Sequence, residues 1–196
     1  MKKIFTFVTF LIIILSNISK VYSIEADVFV QSTVNRASEA LNNKFSKEEK
    51  IEKLKNIARE TVDIKGIGYY SLGAYRKSIS NNQIKKYETL FEKYFLKSFA
   101  SRLAEYSNPE IEVISKKKLN KNYTMVSSIL VSTDQRPEVK IEWRIYTKNS
   151  ENPIIRDLII EGLSLARTQK EEFSSIIQSN DGDINALFAT LNEFIK

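Results

Sequence analysis

The stretch Asp157-Leu158-Ile159-Ile160-Glu161-Gly162-Leu163-Ser164-Leu165 decides how this chain is read. Apolar side chains fall on both parities of the run, the pattern of a strand covered on both faces. The reading places a final strand over residues 154–165. It then passes through Glu-Gly-x-Ser into a helix opened by the capping-box pattern Thr168-x-x-Glu171. A strand of that kind belongs deep in a fold, between helices and whatever those helices enclose.

Upstream of it the two-residue period is clear. Val139, Ile141, Trp143 and Ile145 alternate with Lys140, Glu142, Arg144 and Tyr146, so one face of that strand is buried. Tyr123 to Val131 reads as another strand after the turn Asn120-Lys121-Asn122, and Ile111 and Val113 start a first one. The three prolines, 109, 137 and 153, sit at boundaries between these runs, as expected of a residue that cannot donate to a central ladder.

Before Pro109 the period is helical. Val28, Val34, Ala37 and Leu41 recur at helical spacing, and Ser46-x-x-Glu49 is a capping box ahead of Ile51, Leu54, Ile57 and Thr61. A second box, Ser80-x-x-Gln83, opens the longest helix, whose stripe runs through Ile84, Tyr87, Phe91, Tyr94, Phe95, Phe99, Leu103 and Tyr106. Between them, residues 62–73 read as a short helical passage interrupted by Gly66 and Gly68. Two helices close the chain, the second entered through Asp181-Gly182-Asp183. The order predicts an α+β fold: N-terminal helices, a curved four-stranded antiparallel sheet and C-terminal helices packed on one sheet face.

Met1-Lys2-Lys3, the uncharged run Ile4–Leu15 and Val21-Tyr22-Ser23 form a secretory signal pattern, with cleavage expected after Ser23. Residues 24–196 are then a single domain. The formal charge of +6 falls to +3 without the signal, with 27 basic against 24 acidic residues. No clustered basic stripe with interleaved aromatics is present, so a nucleic-acid partner is not expected. The chain has no Cys and no His. Stability must come from an apolar core rather than disulfides, and the usual zinc ligands and the commonest general base are absent. No cofactor is expected.

Asp157 and Glu161 share strand parity, so they could act as a carboxylate pair in a small-molecule enzyme, or be rim acids partnered by Arg144, Arg156 or Arg167. Gly66-Ile67-Gly68 is too short and apolar for a nucleotide loop and suits close helix packing instead. The aromatic stripe could fill a core, or, facing Trp143 and Ile145 of the sheet, line a cavity. On the second reading the ligand-binding residues are Phe91, Tyr94, Phe95, Phe99, Val126, Trp143, Leu158, Ile160 and Leu163.

Leu72-Gly73-x-Tyr75-x-Lys77, the spacing of Phe91, Tyr94, Leu103, Ala104 and Tyr106, Trp143-Arg144, and Asp157-x-x-x-Glu161-Gly162-x-Ser164 together resemble the motif series of the MlaC, or toluene-tolerance auxiliary, family of periplasmic phospholipid carriers. The resemblance covers roughly residues 25–195 and departs at Pro153-Ile154-Ile155, where family members commonly carry an aromatic residue. It implies a lipid cavity between helices and sheet. It implies a monomeric, non-enzymatic carrier in the periplasm of a Gram-negative bacterium, taking phospholipid from an outer-membrane lipoprotein–porin complex. The inner-membrane partner it implies is the MCE-domain subunit of an ABC transporter, in a system that maintains outer-membrane lipid asymmetry. An envelope protein that binds only other proteins is the further alternative, and a solid core would mark it.

Overall fold

The computed structural model describes residues 23–134 and 136–196. The expected signal segment therefore lies outside the described residues, Ser23 apart.

Helix α1 spans Ala26–Ala40, α2 Lys47–Thr61 and α3 Ile64–Leu72; a 3-10 turn over Gly73–Lys77 leads to α4, Asn81–Leu103. Both predicted capping boxes are present. Ser46 accepts from the Glu49 N–H while Glu49 accepts from the Ser46 N–H, and Ser80 and Gln83 repeat the exchange. On α1 the buried stripe is Ala26, Val30, Thr33, Val34 and Ala40. Val28, expected on that stripe, faces solvent: it stands two residues from both Ala26 and Val30, near the far side of a helix with 3.6 residues per turn.

Helix α3 begins at Asp63, whose carboxylate accepts from the Gly66 N–H, and ends at Gly73. Gly73 has φ 58 and ψ −128, a region essentially closed to residues with a Cβ. This accounts for the Leu-Gly pair: Leu72 is fully buried and Gly73 turns the chain directly after it.

Strands β1 (Ile111–Lys118), β2 (Tyr123–Leu130), β3 (Val139–Tyr146), β4 (Ile154–Ile160) and β5 (Leu163–Ser164) form one antiparallel sheet in chain order. The expected final strand is thus a hairpin. Glu161 and Gly162 both have positive φ, 49 and 81, as a two-residue primed turn requires. The last helices are α5, Leu165–Gln178, and α6, Ile184–Ile195. Helix α5 starts one turn before the expected Thr168 box. Ser164 is its cap and accepts from the Arg167 N–H, while Thr168 Oγ1 merely donates to the Ser164 carbonyl.

The expectation that the final strand is covered on both faces holds only at one end. Ile155 and Asp157 are buried, whereas Leu158, Ile159 and Ile160 are each half-buried. Two bulges bend the sheet, one between Val113 and Ser115 and one beside Arg156. At the β1 bulge Ile114 points into solvent, and beyond it Lys116 pairs with Glu25 and Asp27 at the start of α1. Hydrogen bonding and charge at Lys116 hold the Asp27 carboxyl below its usual range.

At the β4 start, Pro153 and Ile155 are buried, and the Ile155 carbonyl accepts from the Asp63 N–H. Arg156 forms an ion pair with Asp63 at 2.7 Å, donates to the Tyr123 hydroxyl and lies over the Tyr146 ring. The segment that departs from the family pattern is therefore fastened by a backbone bridge and a cation layer.

Candidate functional site

The principal backbone neighbours of α4 are α2, α3 and α6; those of the sheet are α1, α3 and α5. The space between the long helix and the sheet is bridged by side chains. From the helix come Tyr87, Phe91, Phe95 and Phe99, and from the sheet Val126, Trp143, Ile145 and Ile155, all in or against one apolar cluster. Two glycine-related contacts set the inner end of this layer. The Tyr87 hydroxyl donates to the Gly68 carbonyl at 3.0 Å, and a Cβ on Gly68 would lie 2.7 Å from the Phe91 ring. Burial pushes the Tyr87 phenol far above its usual range, so it stays a neutral donor.

The strand register resolves which residues face this layer. Val126, Trp143 and Leu158 stand opposite one another in one cross-strand row. Val113, Ser128, Ile141, Ile160 and Leu163 form the next row outward, and Ile111, Leu130 and Val139 the outermost. Burial fades along these rows. Ile145 and Ile155 are 0 % and 3 % exposed and Val126 and Trp143 0 % and 8 %. Leu158, Ile141, Ile160, Val113 and Ile111 are half-buried, and Leu163 is 60 % exposed. Helix α4 fades in step: Phe91 is 2 % exposed, while Phe95 and Phe99 are half-buried, their rings stacked at 5.6 Å.

The sequence-predicted residues thus divide into three groups. Phe91, Val126 and Trp143 are buried in the core cluster. Phe95, Phe99 and Leu158 are half-buried against the same cluster, Ile160 is half-buried, and Leu163 is exposed. Tyr94 turns away from the sheet: it donates to Gln169 on α5 and packs on Phe173 and Phe194. Sequence reasoning did not single out Ile111, Val113 and Ile141, which also pack half-buried against this cluster. The two-residue period had Ile141 on the right face, and Ile111 and Val113 could have been placed by their register with β2. Two surface grooves are present among the described residues, one between α3 and α5 and one between α1 and β1 that Ile111 and Val113 help to line.

Ser128 is the polar exception on this face. It is fully buried, and its Oγ accepts from the Trp143 indole N–H at 2.8 Å and donates to the Ile141 carbonyl at 3.3 Å. A buried indole N–H requires such a partner.

Asp157 and Glu161 do not form the carboxylate pair considered from the sequence. Glu161 sits in the exposed hairpin turn and accepts from the Lys140 N–H. Asp157, 3 % exposed, accepts from the Ser164 hydroxyl at 2.7 Å and from the Ala166 N–H at 3.0 Å, with Arg144 at 3.7 Å. Its charge thus meets the N-terminus of α5, where backbone N–H groups favour an anion. The Asp-x-x-x-Glu-Gly-x-Ser series is a clamp that folds the β4–β5 hairpin back and fixes the start of the helix behind it. Among the described residues no cluster of acidic side chains is arranged to hold a metal ion.

These features define a class: an α+β domain in which one long helix and a bent antiparallel sheet contribute to a single apolar core. The family model described as MlaC protein matches residues 31–193, and the chain belongs to that family. In fold it is similar to a phospholipid-binding protein from Ralstonia solanacearum, whose structure was determined in complex with a phospholipid. The TM-score is 0.73 and the identity 17 %, over 88 % of this chain and 97 % of that one.

Proposed function

We propose that this chain is a phospholipid-binding carrier. The observation that supports it is the apolar face between α4 and the sheet, packed at Trp143 and fading into a half-buried mouth at Phe99, Leu158 and Ile160. A diacyl lipid loses about 0.8 kcal/mol for each methylene kept out of water only if a dry surface receives it. A face that grades from closed to open can take a chain end-on while the headgroup stays in solvent. Membership of the MlaC family and the phospholipid held by the Ralstonia solanacearum relative point the same way.

The reading extends to cellular role. Residues 1–23 are an export signal and 24–196 the carrier domain, working as a monomer in the periplasm. It passes lipid between an outer-membrane lipoprotein–porin complex and the MCE-domain subunit of an inner-membrane ABC transporter. The protein is not an enzyme on this reading: Asp157, the strongest catalytic candidate, spends its carboxylate on Ser164 and Ala166.

The test is native mass spectrometry of protein isolated gently from the cell envelope, with extraction of whatever it holds. Bound phospholipid is expected. Bare polypeptide, under conditions in which other lipid carriers keep their cargo, would refute the reading.

A further inference from the structure

We infer that Trp143, pinned by Ser128, is the floor that limits how deep an acyl chain enters, and so is a positioning residue for chain length. The inference rests on the phospholipid reading above and adds to it the device that selects the cargo.

In register Trp143 faces Val126, yet its indole N–H reaches Ser128, two residues nearer the mouth on the neighbouring strand. The indole therefore lies diagonally across the sheet face rather than standing upright from it. Inward of it on that face Ile145 and Ile155 are closed and Thr124 is half-buried; outward, Ser128 excepted, the face is half-buried apolar surface that ends at the exposed Leu163. The bond holds the plate in that pose, because releasing it would leave a buried N–H without a partner.

The depth fits a lipid chain. From the outermost row at Val139 to Trp143 is four residues, or about 13 Å at the rise of a strand. One leaflet of a bilayer core is about 15 Å thick, half of roughly 30 Å. A chain as ordered as in a membrane would thus reach the indole with its terminal carbons.

Trp143 is the only tryptophan in the sequence, so its fluorescence reads the floor directly. Phosphatidylcholines brominated near the headgroup, at mid-chain or near the terminal methyl would be loaded onto the full protein and indole quenching measured. Strongest quenching by the terminal label is expected. Equal quenching by all three, or strongest quenching by the label nearest the headgroup, overturns the proposal while leaving lipid binding intact. If none of the three is retained, the phospholipid reading itself falls.

Two variants check the role. In the protein as it stands, affinity should rise about fourfold per added methylene and then level off. Trp143→Phe should move that plateau outward by one or two methylenes, making the longest chains roughly four- to fifteenfold tighter. Ser128→Ala should blunt the plateau and shift the indole emission, while Ser127→Ala, on the opposite sheet face, should change neither. An unmoved plateau in folded Trp143→Phe, or in folded Ser128→Ala should the first variant melt, refutes the assignment.

Discussion

Replacing Asp157 by Ala tests whether the motif around it is a clamp. The substitution removes the acceptor of two charge-assisted bonds, from the Ser164 hydroxyl and the Ala166 N–H, both inside a site only 3 % exposed. Bonds to a charged group contribute about 1.5–3 kcal/mol each. Arg144 adds little, because its side chain is 42 % exposed and 3.7 Å away. The expected loss is therefore about 4 kcal/mol. For a chain of this size that lowers the melting temperature by roughly 8–16 °C. Asp157→Asn keeps the shape and one acceptor, so about half the loss is expected. Thermal unfolding followed by far-UV circular dichroism measures both. Hydrogen exchange should show the first turn of α5 opening before the rest of the protein. An Ala variant that melts within about 2 °C of the parent would mean that hairpin and helix are held by packing alone, and the clamp argument would be wrong.

Three further outcomes are expected. Gly73→Ala forces a Cβ into φ 58, ψ −128 and within 3.0 Å of the Lys170 side chain; a loss of about 1–3 kcal/mol is expected in a denaturant titration. Gly68→Ala pushes on Phe91 and should cost about 1–3 kcal/mol by overpacking. It should also lower lipid occupancy in native mass spectrometry by driving that ring toward the mouth. The Glu49 carboxyl is held below its usual range by hydrogen bonds from the Ser46 backbone and hydroxyl. A depressed folded-state pKa contributes stability that is complete above the unfolded value and is lost as pH falls through the folded one. Between pH ~5 and ~3 the parent should therefore lose more stability than Glu49→Gln, and equal slopes would count against the capping box.

Much of the fold is legible because its determinants are local. Ser46-x-x-Glu49 and Ser80-x-x-Gln83 both cap helices as read, and the alternation from Val139 to Tyr146 puts Trp143 and Ile145 inside. The errors arise where a stronger non-local partner wins. Ser164 caps α5 ahead of Thr168 because the buried Asp157, seven residues away, orients its hydroxyl. The hairpin at Glu161-Gly162 hides in an apolar run because the hydrophobicity continues across it into Leu163. The mouth is the least legible part. Phe91 and Phe99 look alike as members of one helical stripe, yet one is closed and the other half open. That difference is set by tertiary packing, which no periodicity records. Tyr94, one position off the ladder of Phe91, Phe95 and Phe99, belongs to α5 and α6 instead.

The bulged first strand has a consequence for life at high concentration. A protein with an apolar opening and an open-edged sheet invites neighbours to add strand to strand. Here the long outer edge of β1 is broken at Ile114, and the side chain of Gln31 accepts from the Val113 N–H. Beyond Lys116 the edge runs out in Lys117 and Lys118, whose charges repel an identical strand. On the opposite side the two-residue β5 covers Ile159 and Ile160 of β4, and Val62 bridges β4 at Ile155. Both edges are thus poorly suited to take on a strand from a second copy.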